Sequence, residues 1–248
     1  MRWRVIEFEH WTAAMNMAID EAISIGLGKG TSPPTIRFYG WRPSAVSLGR
    51  FQSAEDELDL EACASKGMEV VRRRTGGGAV YHDENGEVTY SVICSEDLVP
   101  RDINAAYREI CGCIVTALSE LGVDAEFSPI NDVLVKGKKI SGSAQTRRAG
   151  VLLQHGTLLL SLDARTMLSV LRIPEAKLRD KGIASAEERM TSLKALTDAD
   201  RDQVLEALER AFTSEKEWSV GSLTAEEMEM TEQLARFRYS TPEWTFER

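Results

Sequence analysis

Between Val70 and Asp83 the chain sets three arginines, Arg72, Arg73 and Arg74, directly before Thr75 and three glycines, Gly76, Gly77 and Gly78. Arginine's planar fork binds phosphate or carboxylate through two parallel hydrogen bonds. Glycine has no Cβ, so a ligand can lie on the chain's own N–H groups, and consecutive amides can form a nest around an anion. The combination suits a phosphate. A glycine-rich turn between two strands, with solvated arginines, is the plainer reading of the same residues. The Walker pattern is absent, and the positions after the glycines are Ala79, Val80 and Tyr81, so neither a P-loop nor a dinucleotide fingerprint is present.

A second cluster runs from Asn131 and Asp132 through Lys136, Lys138 and Lys139 to Ile140, Ser141, Gly142, Ser143 and Ala144. Small residues here let ligand and backbone approach closely, and a lysine among them can bridge a carboxylate and a phosphate. Lys136 and Lys138 fit a solvated basic turn. In a strand Lys139 points opposite to Lys138, so one of these lysines faces inward. His82 adjoins Asp83, but neighbours in a strand face opposite ways and form no relay by themselves. His155, beside an apolar run, fits a satisfied core histidine as well as a site residue.

The elements that must position these residues can be read from periodicity. Residues 3 to 9 alternate as a strand, and Thr12 caps a helix running through Met15, Ile19 and Ile23. Thr35 to Trp41 and Ala45 to Leu48 form a hairpin-like pair, followed by an acidic segment and a short helix closed at Gly67. Met68 to Val71 and Ala79 to His82 flank the glycines as strands, and Glu87 to Cys94 is another. Tyr107, Ile110, Ile114, Leu118 and Leu121 fall at helical spacing between residues 103 and 121. Asp124 to Phe127, Asp132 to Val135 and Lys139 to Ser141 are short strands, with Lys136, Gly137 and Lys138 as the last turn. Val151 to Leu160 is a strand, and helices occupy Ala164 to Leu171, Asp198 to Phe212 and Thr224 to Arg238. Strands followed by segregated helices predict an α+β domain with a mixed, mainly antiparallel sheet flanked by helices.

With 248 residues and 43% hydrophobic content, one compact domain is expected. A formal charge of -9 argues against a nucleic-acid partner. No apolar window reaches membrane-span length and no signal segment opens the chain, which predicts a cytoplasmic protein. Cys63, Cys94, Cys111 and Cys113 show no metal-ligand spacing, and each fits a small apolar packing role.

The sequence resembles the lipoate-protein ligase A family. The resemblance rests on Arg72 to Asp83, on Asn131 and Asp132, and on Lys139 to Ala144. It extends to Asn16 to Glu21, His155 to Leu159, Lys181 to Ile183, Arg189 to Thr191, and Tyr239 to Trp244. It implies a catalytic domain over residues 1–248, shared in fold with biotin ligases and without the accessory domain many members carry. It also implies an adenylate-forming ligase that activates lipoate with ATP and Mg2+, then passes the lipoyl group to a protein lysine. Lys139 would be the essential lysine. Arg72, Arg73, Thr75, Gly76, Gly77, Gly78, Ala79, Val80, Tyr81, Asn131 and Asp132 would line the lipoyl-adenylate site, with His82, His155 and Gly142 nearby. The implied partner is a lipoyl-domain acceptor, either a dehydrogenase-complex acyltransferase subunit or a glycine-cleavage H protein, with a separately encoded accessory-domain protein as a second.

Ser192 stands where the family pattern often has asparagine. Three rival readings survive the residues. One is an octanoyl or lipoyl transferase that uses no ATP, working either through an acyl-cysteine or directly from a carrier protein. No cysteine follows Cys113, which counts against the acyl-cysteine form. The second is a non-catalytic subunit that holds a lipoyl protein. The third is a biotin ligase, disfavoured because the glycine stretch lacks the Gly-Arg-Gly-Arg arrangement.

Overall fold

A computed structural model describes residues 2–172 and 182–247; Lys181 lies outside them. In chain order the strands are β1 (Trp3–Trp11), β2 (Thr35–Trp41), β3 (Ala45–Leu48), β4 (Glu69–Arg72), β5 (Val80–His82) and β6 (Glu87–Ser95). They continue with β7 (Glu126–Ser128), β8 (Asp132–Val135), β9 (Lys138–Arg148), β10 (Val151–Leu159) and β11 (Trp218–Val220). The helices are α1 (Ala13–Lys29), α2 (Ala54–Glu57), α3 (Leu60–Ser65), α4 (Ile103–Glu120) and α5 (Ala164–Val170), then α6 (Gly182–Arg189), α7 (Arg201–Thr213), α8 (Ala225–Leu234) and α9 (Pro242–Thr245).

The described residues form an eight-stranded sheet in the order β11-β1-β2-β6-β10-β9-β8-β7 and a three-stranded sheet in the order β4-β3-β5. β1 runs parallel to β11 and β2, β3 runs parallel to β4, and the other pairings are antiparallel. This is the expected α+β architecture. Helices cover both faces of the large sheet, and the alternation of β6 shows why. Val92 and Cys94 join the cluster with Tyr107, Ile110, Ile114 and Leu118 of α4 and Leu208 and Phe212 of α7. Ile93 between them packs on Ile19 and Ile23 of α1. Residues one apart in a strand face opposite sides, so β6 is buried on both.

Four local expectations are corrected. β2 and β3 do not pair; they belong to different sheets, and β3 leaves to join β4 and β5. β9 does not stop at Ser141 but continues through Gly142, Ser143 and Ala144 to Arg148, because β10 pairs with it along this length. Lys138 belongs to β9, and the turn is Lys136 and Gly137 alone, with φ of 50° and 76°. Positive φ at both central residues is the geometry a two-residue hairpin requires. The last long helix ends at Leu234 and widens into a π turn over Ala235–Tyr239. β11 had too little alternation in three residues to be seen.

α1 carries buried polar residues where an amphipathic helix would be apolar. Asn16 and Asp20, one turn apart, both receive the buried guanidinium of Arg37: Nη2 donates to Asn16 Oδ1 at 2.5 Å and Nη1 to Asp20 Oδ1 at 3.0 Å. Glu21 accepts from Arg74, Arg238 and the Tyr239 hydroxyl. These pairs tie the helix to β2, to the arginine run and to the C-terminal segment.

Candidate active site

β4 delivers the arginines into the space between the two sheets, and their roles diverge there. Arg72 is fully buried. Its guanidinium donates to the carbonyls of Gly49 at 2.9 Å, Gln52 at 2.7 Å and Thr245 at 2.8 Å, and the indole of Trp244 returns a bond to its own carbonyl. Arg73 donates from Nη1 to the Ser47 carbonyl and hydroxyl, from Nη2 to the carbonyls of Gly76 and Gly78, and from Nε to Thr75 Oγ1. Burial pushes its pKa down to about 10. Both forks are thus engaged by the protein. Arg73 closes the glycine loop from within, and Gly77, at φ 96°, could not add a Cβ without meeting Arg73 Nη2 at 3.0 Å. The N–H groups of Gly76, Gly77 and Gly78 are accepted by no described protein group.

Thr75 anchors the loop to the large sheet. Its hydroxyl lies 2.7 Å from His155 Nε2, and His155 Nδ1 lies 3.4 Å from Asp20 Oδ2. Burial lowers the His155 pKa against the opposing pull of Asp20. Burial also opposes ionisation of Asp20, but His155, Arg37 and Ser91 together outweigh it and hold the carboxyl below its ordinary range.

The lysine cluster resolves clearly. Lys136 sits in the turn, and Lys138 Nζ donates to the Glu187 carbonyl. Lys139 instead reaches Asp132 Oδ1 at 2.6 Å, with its side chain 38% exposed. A bulge shifts the β8–β9 register at this point, and Asp132 stands opposite Gly142. A Cβ on Gly142 would come within 2.5 Å of Lys139 Nζ, so the small residue makes room for the lysine. Asn131 fixes the neighbouring strand: its carbonyl accepts from the Ser143 N–H at 3.0 Å and the Ser143 hydroxyl at 3.1 Å.

Between these clusters lies a cavity of about 420 Å3. Of the residues expected at the site, Arg73, Gly77, Gly78, Ala79, Val80, Tyr81, His82, Asn131, Lys139, Gly142 and His155 line it. Arg72, Thr75, Gly76 and Asp132 do not line it. The lining also includes Met17, Tyr39, Trp41, Leu159, Met167, Leu171 and Met190, which motif reading did not assign to a site. Met17 lay within a quoted motif; Met167 and Leu171 offered only helix periodicity. Much of the wall is therefore apolar, with Lys139 at its exposed edge. His82 stacks on Trp41 at 3.8 Å, and its Nδ1 lies 2.7 Å from Glu87 Oε1, so its partner is not the adjacent Asp83.

None of the four cysteines lines the cavity. Burial raises the Cys63 and Cys111 thiols and pushes Cys94 up to about 12 and Cys113 to about 11. Among the described residues no three His, Cys, Asp or Glu side chains converge to hold a metal ion, and no helix is long and apolar enough to cross a membrane.

The mixed sheet that carries this cavity has the fold of the lipoate and biotin ligase catalytic domains. The chain belongs to the lipoyl protein ligase A/B catalytic domain family, whose model matches residues 12–213. It is 40% identical to octanoyltransferase LipM of Kyrpidia tusciae, over 98% of each chain. It superposes on a bipartite lipoate protein ligase of Thermoplasma acidophilum with a TM-score of 0.89 at 34% identity, over 99% of this chain and 96% of that one. A biotin protein ligase of Leishmania major shares the fold alone, at 13% identity and a TM-score of 0.50 over 93% and 81% of the two chains.

These relatives correct the expected activity. The full-length match to octanoyltransferases overturns the reading of an ATP-dependent, adenylate-forming ligase, and with it ATP and Mg2+ as cofactors. The physical reason lies in the arginines. The forks of Arg72 and Arg73, read as a phosphate cradle, are engaged by backbone carbonyls.

Proposed function

We propose that this protein is an acyltransferase that moves an octanoyl group from a carrier-protein thioester to a lysine of a lipoyl-domain protein, without ATP. One observation carries the proposal: the chain matches octanoyltransferases over its whole length, and its apolar cavity has a lysine, not a cysteine, at the rim. Seven buried carbons of an octanoyl tail would contribute roughly 5 kcal/mol at about 0.8 kcal/mol per methylene. The thioester then presents its carbonyl at the edge where Lys139 stands.

In the step that forms the amide, the acceptor amine attacks the acyl carbonyl carbon, the carbonyl oxygen takes up negative charge, and collapse expels the group that carried the acyl chain, which leaves with the proton the amine gives up. Lys139 Nζ, held by Asp132, supplies fixed positive charge for that oxygen. Its ammonium needs no reorganisation as charge develops, so it favours the transition state over the ground state. The thioester already carries the activation that adenylation would otherwise provide. We place the acceptor among lipoyl-domain proteins, either a dehydrogenase-complex acyltransferase subunit or a glycine-cleavage H protein. A cytoplasmic setting suits four free thiols. The test is to mix the chain with an octanoyl carrier protein and a lipoyl domain under magnesium chelation and to weigh the lipoyl domain. Gain of one octanoyl group supports the reading; no gain under these conditions overturns it.

A further inference from the structure

Ser47 of β3 meets the cavity wall beside His82, and the two are 2% and 4% exposed. The Ser47 hydroxyl lies 2.8 Å from His82 Nε2, and Glu87, 1% exposed, holds the other ring nitrogen at 2.7 Å. The direction of these bonds is set from both ends. Trp41 Nε1 donates to Thr89 Oγ1 at 2.8 Å, and Thr89 in turn donates to Glu87 Oε1 at 2.7 Å. The carboxylate accepts again from His82 Nδ1, which leaves Nε2 with its lone pair toward Ser47. At the other end Arg73 Nη1 donates to Ser47 Oγ at 3.1 Å, so the serine proton is directed at the imidazole. That is the tautomer and polarity a general base needs to activate a hydroxyl. Nucleophile, base and orienting carboxylate all line one cavity. The unaccepted N–H groups of Gly77 and Gly78 border the same space and suit a developing oxyanion.

We propose that Ser47 is a nucleophile that carries the acyl group as an ester, with His82 as its general base and Glu87 as the residue that positions the imidazole. The proposal rests on the acyltransferase reading above. Ser47 Oγ attacks the thioester carbonyl while its proton passes to His82 Nε2. The C–O bond forms, the C–S bond breaks, and the departing thiolate takes the proton from the imidazolium. The acceptor amine then attacks the serine ester, its proton passes through His82 to the departing Oγ, and the free hydroxyl is restored. No oxidant, reductant or metal enters either step.

The experiment incubates the full chain with octanoyl carrier protein, without acceptor, and maps the acid-quenched peptides by mass. An octanoyl group is expected on the peptide containing Ser47. Ser47→Ala should carry none, and Ser47→Cys should carry a hydroxylamine-labile thioester at the same position. His82→Gln should slow adduct formation roughly a hundredfold. Glu87→Gln should lower kcat for adduct formation with KM for the carrier unchanged, and Glu87→Asp should recover part of the loss, a split that a merely structural role would not give. Transfer to acceptor at the wild-type rate by Ser47→Ala, with no adduct in the wild type, overturns the serine alone. A wild-type chain that moves no octanoyl group overturns this proposal together with the reading beneath it.

Discussion

The side chain of Lys139 occupies the space that a Cβ on Gly142, three residues later in β9, would take. From there it reaches Asp132, the cross-strand partner of Gly142, at 2.6 Å. The lysine's position is therefore set by a missing side chain as much as by its ion pair. Gly142→Ala should displace the ammonium and lower turnover roughly tenfold to a hundredfold with little change in melting temperature. Turnover equal to the wild type would show that Lys139 does not act from this position.

Lys139→Ala should cost about a hundredfold or more in transfer at saturating carrier and acceptor, comparable with losing one oxyanion-stabilising donor. Lys136→Ala and Lys138→Ala should stay within a few-fold of the wild type, since one lies in a turn and the other bonds an exposed carbonyl. The three variants measured side by side separate charge at the rim from charge nearby.

Replacing the cysteines tests the route of the acyl group. All four thiols have raised pKa values and none lines the cavity, so little thiolate exists near neutral pH. A chain with Cys63, Cys94, Cys111 and Cys113 each changed to alanine or serine should retain octanoyl transfer within a few-fold. Loss of transfer in one folded single variant would place the acyl group on that sulfur.

How much of this was legible in the sequence depended on the range over which each signal acts. Alternation and motif together singled out Lys139 from its neighbours, because one strand's pleat decides which way adjacent side chains point. The roles of Arg72 and Arg73 were not legible. Composition marks an arginine as a fork for anions, yet Arg72 spends its fork on the carbonyls of Trp244 and Thr245, brought near only by the folded C-terminal segment. Alternation correctly denied a relay between His82 and Asp83, but the actual partners, Ser47 and Glu87, meet His82 only once β3, β5 and β6 are assembled. The choice of acyl donor was hidden for another reason. Lipoate ligases and octanoyltransferases both resemble this chain closely, so fold and motif do not separate them.

Arg72→Ala should destabilise the domain by about 3 kcal/mol or more, since it strips donors from several buried carbonyls at once. Arg72→Lys should recover little, because a point charge cannot span the carbonyls that a planar fork reaches. Chemical denaturation of the two variants measures this, and near-native stability in Arg72→Lys would contradict it.

Acid should expose the contribution of Asp20. Its carboxyl lies below the ordinary 3.8 in the folded state, so its stabilisation is present above that pH and is lost as pH falls through the depressed folded value. Asp20→Asn should be less stable than the wild type near neutral pH and show a flatter fall in stability below about pH 4. Parallel acid profiles for the two chains would show that Asp20 is not a depressed, buried carboxylate.

The most direct test of the central claim offers both acyl sources to the same reaction. The chain and a lipoyl domain are given isotopically labelled octanoyl carrier protein together with unlabelled free octanoate, ATP and magnesium, and the acceptor is weighed. Transfer from the thioester predicts that the acceptor gains the labelled octanoyl group, at a rate unchanged when ATP and magnesium are left out. An acceptor carrying only the unlabelled group, and only when ATP is present, would contradict the account.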